Sequence, residues 1–178
     1  MAQLWWDYSA LLIACRFQYA YFCVMSATLD MRGMLVQLSA PIRILVVDDF
    51  EPYRRSICSM IQQRSDLMLL AEAQNGLEAV RQAEMLQPDM ILLDIGLPVL
   101  NGIEAARQIT KVASTARIIF LTQESSPEIV DEALALGACA YVNKTQAGTD
   151  LLPAVEAVAE GGTFVSTGLN GNTRASLR

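Results

Sequence analysis

Five polar residues stand out because each sits at the end of an apolar run. "ILVVDD" closes on Asp48 and Asp49, "MILLD" on Asp94, "RIIFLT" on Thr122 and "AYVNK" on Lys144. Like charges at the ends of buried segments repel one another and are costly to desolvate. A cation among the carboxylates would relieve that cost. Oxygen ligands without imidazole or thiolate select a hard ion, Mg²⁺ before Zn²⁺. Lysine adds a fixed positive charge, and threonine a hydroxyl that can donate to a developing anion. Such a set suits phosphoryl transfer, which depends on positioning and charge neutralisation more than on covalent machinery. An aspartate can itself be the nucleophile, giving an acyl phosphate.

Taken singly, each signal has a plain structural explanation. An Asp pair after a strand can be a turn or a helix cap, and a lone lysine is usually a solvated charge. Only a fold that brings all five residues to one place turns them into a site.

The hydrophobic pattern predicts such a fold from Pro41 onward. "IRILVV" (42–47), "LMLLAEA" (67–73), "DMILLD" (89–94), "ARIIFLT" (116–122) and "ACAYVNK" (138–144) read as strands. Between and after them, apolar residues at helical spacing predict helices over 52–64, 75–87, 102–112, 126–137 and 149–162. Ile57, Met60 and Ile61 are expected to face inward from the first helix, and Leu77, Val80 and Met85 from the second. Asn75 is expected to cap the second helix, and Gly137 to close the fourth. Strands alternating with helices imply a parallel sheet covered on both faces, which explains why the strands are continuously apolar. Right-handed crossovers make it an open, doubly wound α/β sheet, with ligands bound outside the carboxyl ends of the strands. Asp48, Asp49, Asp94, Thr122 and Lys144 all fall at that edge.

Composition sets the limits. The chain of 178 residues is 53% hydrophobic, carries a net charge of −6 and contains no histidine. The charge argues against backbone-driven nucleic-acid binding. Lack of histidine excludes Ser-His-Asp and Cys-His catalysis, H-E-x-x-H zinc chemistry and a phosphohistidine on this chain. Four cysteines (Cys15, Cys23, Cys58, Cys139) form no C-x-x-C pair, so reduced thiols in a cytoplasmic protein are expected. Residues 1–40 are aromatic-rich and carry few charges. No charge-free run exceeds thirteen residues, too short for the roughly 20 that cross a bilayer. They read as an appendage without a part in the chemistry, preceding a domain over 41–165 and a tail over 166–178.

With these residues in place, 42–164 resembles a receiver domain of the bacterial two-component response regulators. The resemblance rests on "ILVVDDFEPYR", "PDMILLDIGLPVLNGIEAARQI", "ARIIFLT" and "ALGACAYVNKTQAGTDLLPAVEAVAEGGTFVS". The "LLDIGLP…NG" and "GA-YV-K" forms are most similar to receivers of nitrate/LuxR-type regulators. The resemblance implies a CheY-like, flavodoxin-like five-stranded sheet of order 2-1-3-4-5. It implies that Asp94 is the phosphoacceptor, attacking the phosphohistidine of a partner sensor kinase or phosphotransfer protein. Asp49, Asp94 and the main-chain carbonyl of Gly96 would bind Mg²⁺, with Asp48 assisting partly through water. Thr122 would bond the phosphoryl oxygen, Lys144 would pair with it, and Tyr141 would be the aromatic switch. The chain would be a signalling domain rather than an enzyme, with a phosphorylation-dependent dimer compatible with the family.

Two departures concern the site. Gln123 stands where the family usually has a small residue, and Thr145 follows Lys144 where many members have proline. Gln123 is expected either to crowd the phosphoryl path or to donate to the phosphoryl oxygens. Gly96, two residues after Asp94, offers no side chain to orient a hydrolytic water, and Glu124 flanks the same path. Slow loss of phosphate is the expectation.

Output is open between two readings. One is a stand-alone receiver acting through protein contact; the other is the receiver half of a LuxR-type DNA-binding regulator. After residue 165, "STGLNGNTRASLR" holds two arginines and no apolar periodicity, too little for a DNA-reading helix. A third class, an aspartate-nucleophile phosphatase, would want an acid two residues after the nucleophile, where Gly96 stands.

Overall fold

The computed structural model describes residues 40–123 and 137–166. The strands are β1 (Ile42–Val47), β2 (Leu67–Ala73), β3 (Met90–Asp94), β4 (Arg117–Thr122), β5 (Ala140–Asn143) and β6 (Phe164–Val165). The helices are α1 (Glu51–Gln62), α2 (Gly76–Leu86), α3 (Gly102–Val112) and α4 (Ala147–Ala159), and a 3₁₀ turn over Lys144–Gln146 leads into α4. The helix expected over 126–137, the segment 1–39, Glu124 and the tail from 167 onward lie outside the described residues. Gly137 does adopt the left-handed φ of +81° that a helix-closing glycine takes.

All pairings are parallel and the order is β2-β1-β3-β4-β5-β6, so the expected 2-1-3-4-5 arrangement gains a sixth strand. β6 is only two residues long, below what hydrophobic patterning can register. Ser166 holds it in place. Its buried hydroxyl accepts from the Asn143 amide at 3.2 Å and donates to Asp150 at 2.7 Å, while its own amide donates to the Tyr141 carbonyl at 3.0 Å.

Alternation along each strand sends successive side chains to opposite faces. Leu45, Val47, Ile91, Leu93, Phe120 and Tyr141 join the core shared with α2 and α3. Ile44, Val46, Leu92, Ile119, Leu121 and Val142 join the core shared with α1 and α4. Both faces are covered, as the unbroken apolar strands require.

Helix α2 corrects one expectation. Asn75 caps it as read, accepting from the Glu78 amide at 2.9 Å. Its buried face, however, is Gly76, Ala79 and Ala83, whereas Leu77 is 39% exposed and Met85 76% exposed. Small residues bring α2 close against its neighbours. A Cβ on Gly76 would stand 2.1 Å from the Leu100 carbonyl oxygen, so the helix start and the β3–α3 loop meet backbone to backbone. That loop also holds Val99 at φ +68°, 82% exposed, in a tight turn closed by a 2.8 Å bond from the Leu100 amide to the Pro98 carbonyl. A β-branched residue is rarely found in that region.

Candidate functional site

The alternation that builds the cores also builds the site. Asp48, Asp94 and Lys144 lie an even number of residues beyond Ile44, Leu92 and Ala140, so they continue the row facing α1 and α4. Register does the rest. Val47 pairs with Leu93, Asp94 with Leu121 and Thr122 with Asn143, so the ends of β1, β3, β4 and β5 converge.

Asp48 is fully buried, Asp94 is 5% exposed and Thr122 is 2% exposed, while Asp49 is exposed. Lys144, the first residue of the 3₁₀ turn, reaches back over the sheet edge. Its Nζ lies 2.6 Å from Asp48 Oδ2 and 2.7 Å from Asp94 Oδ2, a cation between two carboxylates. Asp48 Oδ1 accepts from the Phe50 amide at 2.9 Å, and Asp94 Oδ1 from the Gly96 amide at 3.2 Å. Asp48, Asp49 and Asp94 can each offer an oxygen within 4.8 Å of the others. Oxygen atoms so gathered, with one carboxylate open to solvent, fit a hard divalent ion.

Electrostatics follow from burial. Burial pushes the Asp48 carboxyl above its ordinary value, outweighing Lys144 and the Phe50 amide. For Lys144 burial opposes the charge, but Asp48 and Asp94 win and hold the ammonium above the usual lysine value. Three carboxylates share one ammonium here, so the cluster is short of positive charge, as a cation site should be.

The acidic edge opens into a cleft of about 820 Å³ lined among others by Asp49, Tyr53, Asp94, Thr122, Gln123 and Lys144. All five polar residues singled out in the sequence thus converge, and Gln123 borders the same space. Gly96 lines it too. Tyr141 is fully buried in the core on the α2–α3 face, not in the cleft.

Two residues of α1 belong to the site without having been singled out. Arg54, 6% exposed, donates to the Asp48 carbonyl at 2.7 Å and to Glu72 at 2.9 Å, tying the end of β1 to β2. Tyr53 lies with its ring centre 5.0 Å from Lys144 Nζ. The only sequence signal for either is spacing: both fall in the first turn of α1, four and five residues after Asp49.

Comparison with known proteins agrees with this geometry. Residues 44–156 match the family model of the response regulator receiver domain. The transcriptional regulatory protein LnrK of Bacillus subtilis is 36% identical over 121 residues, which is 68% of this chain and 55% of that protein. The nitrate/nitrite response regulator NarL of Escherichia coli K12 is 34% identical over 138 residues, 78% of this chain and 64% of that protein. Less than two thirds of either relative's length is thus spanned. Among solved structures, a LuxR-family two-component response regulator from Aurantimonas sp. SI85-9A1 superposes with a TM-score of 0.70 at 31% identity, covering 74% of this chain and 94% of that one. The response regulator domain of Thermotoga maritima CheB gives 0.61 at 35% identity, covering 65% and 94%. Since the family match runs from the first buried residue of β1 into α4, and so takes in the whole carboxylate–lysine cluster, the chain belongs to the response regulator receiver domain family.

Proposed function

We propose that residues 41–165 accept a phosphoryl group on Asp94 from a partner histidine kinase or phosphotransfer protein, in the cytoplasm. The observation that carries the reading is the Lys144 ammonium held between Asp48 and Asp94, with Asp49 close by and open to the cleft. A carboxylate oxygen of Asp94 forms the new O–P bond while the donor's N–P bond breaks and its electron pair returns to the imidazole nitrogen. Mg²⁺, held by Asp49, Asp94 and the Gly96 carbonyl with help from Asp48, would neutralise charge on the phosphoryl oxygens. Thr122 donates its hydroxyl to one of those oxygens. Lys144 exchanges its contact with Asp94 for one with the phosphoryl group, and the vacated geometry at β4 and β5 is read by Tyr141. The output is a changed protein-binding surface.

The test is incubation with acetyl phosphate or a cognate kinase and Mg²⁺. One acid-stable, base-labile adduct is expected, absent from Asp94→Asn. Acceptance of phosphate by Asp94→Asn at the wild-type rate would sink the assignment.

A second reading, the receiver portion of a LuxR-type DNA-binding regulator, is favoured by the name of LnrK as a transcriptional regulatory protein and by the share of it that this chain spans. This chain itself is expected to bind no specific DNA. A gel shift that survives raised salt would reverse that expectation.

A further inference from the structure

We propose that Tyr53 is a positioning residue for Lys144: its aromatic face holds the ammonium at the bridge between Asp48 and Asp94. The inference rests on the reading of Asp94 as phosphoacceptor, but its first test does not. The Tyr53 ring centre is 5.0 Å from Lys144 Nζ, within the range in which a ring quadrupole attracts a cation. The side chain of Lys144 is only 10% exposed, and a desolvated ammonium gains most from such a face. Asp48 and Asp94 draw the ammonium from one side, and the ring closes another. Lys144 leaves a short 3₁₀ turn, and its four-carbon stem needs such a wall to keep the ammonium at one place.

The ring, not the hydroxyl, does this. The Tyr53 hydroxyl oxygen is buried and makes no hydrogen bond to any described residue. Burial first, and then the charges of Asp48 and Asp94, keep it protonated well beyond the usual tyrosine value. A neutral hydroxyl without a partner among the described residues neither competes for Lys144 nor anchors the ring. Tyr53→Phe therefore keeps the function, and Tyr53→Leu or Tyr53→Met, apolar but without a π face, loses it.

The chain contains two lysines, Lys111 and Lys144, which makes a direct readout simple. The full chain is labelled with ¹³C-lysine, and Lys111→Arg assigns the two sets of Cε–H signals. Ring current should shift the Lys144 Cε protons upfield of the Lys111 ones in wild type and in Tyr53→Phe. In Tyr53→Leu and Tyr53→Met the shift should vanish. Phosphorylation by acetyl phosphate with Mg²⁺ should then slow about three- to tenfold in both ring-less variants and remain near wild type in Tyr53→Phe. Unshifted wild-type signals would overturn the placement of the ammonium, whatever the phosphorylation result. A vanished shift with unchanged rate would overturn the positioning role. If wild type takes no phosphate while the shift behaves as expected, the phosphoacceptor reading fails and the ring–ammonium contact stands. Using two ring-less variants keeps the test intact if one of them does not fold.

Discussion

Replacing Gly102 by alanine strikes the point where α3 begins under the end of β3. A Cβ there would lie 2.0 Å from the Asp94 carbonyl oxygen and 2.7 Å from the Ile95 Cα. Non-bonded carbon contacts sit near 3.5 Å, so roughly 1.5 Å must be found by moving backbone on one side or the other. Overpacking of this kind costs about 1–3 kcal/mol. The gain from replacing helical glycine, at most about 1 kcal/mol, is small at a first-turn position. A net loss of about 2 kcal/mol follows, which moves a urea midpoint down by about 1 M for a domain of this size. The displaced atoms include the Asp94 carbonyl, and a misplacement of about 1 Å at a reacting group can cost 10²-fold in rate. Gly96→Ala is the control, because its Cβ would be 3.9 Å and 4.0 Å from the Asp94 carboxylate oxygens, an ordinary contact. Urea unfolding of both variants, followed by phosphorylation with acetyl phosphate, separates them. A wild-type midpoint and rate for Gly102→Ala, or an equal loss for Gly96→Ala, would refute the close-approach argument.

Three further outcomes follow from the same geometry. Mg²⁺ affinity should fall more in Asp49→Ala than in Asp48→Ala, since Asp49 is the exposed carboxylate of the cluster and Asp48 is already engaged by Lys144 and Phe50; fluorescence or calorimetric titration showing equal or inverted losses would reject the ranking. Burial, helped by Glu72, pushes the Cys58 thiol up to about 11. The unfolded chain therefore loses that proton first, and stability present below about pH 9 should decline as pH rises toward 11, by on the order of 2 kcal/mol. Comparing urea midpoints at pH 8 and pH 10.5 in wild type and Cys58→Ala checks this, with a shallower decline expected in the variant. Loss of phosphate from Asp94 should speed up in Gln123→Ala, because Gln123 borders the cleft through which water must arrive; a decay that is unchanged or slower would remove the crowding argument.

Strand ends were the legible part of this protein. Apolar runs ending in Asp48, Asp94 and Lys144 place these residues at one edge from the sequence alone, because period-two alternation and parallel crossovers leave few other arrangements. The face of α2 was not legible. Leu77 and Met85 satisfied helical periodicity, yet Ala79 and Ala83 are buried, since the helix packs too close to its neighbours for longer side chains. Arg54 and Tyr53 escaped for another reason. Their roles depend on Glu72, from β2, and Lys144, from beyond β5, and no local pattern in "EPYRRS" encodes partners so distant in the chain.

The Ser166 tie gathers the hydrogen bonds of the last described strand at one residue. Three bonds converge on one residue, so displacing Ser166 would free the Asn143 amide, the Tyr141 carbonyl and one oxygen of the Asp150 carboxylate, whose other oxygen keeps its bond from Thr149. Opening it uncovers polar groups that water can satisfy and leaves no large void, because Phe164 and Val165 are only half-buried. An opening at Ser166 would therefore begin one residue from Lys144, and solvent entering there is expected to disturb the ammonium held between Asp48 and Asp94.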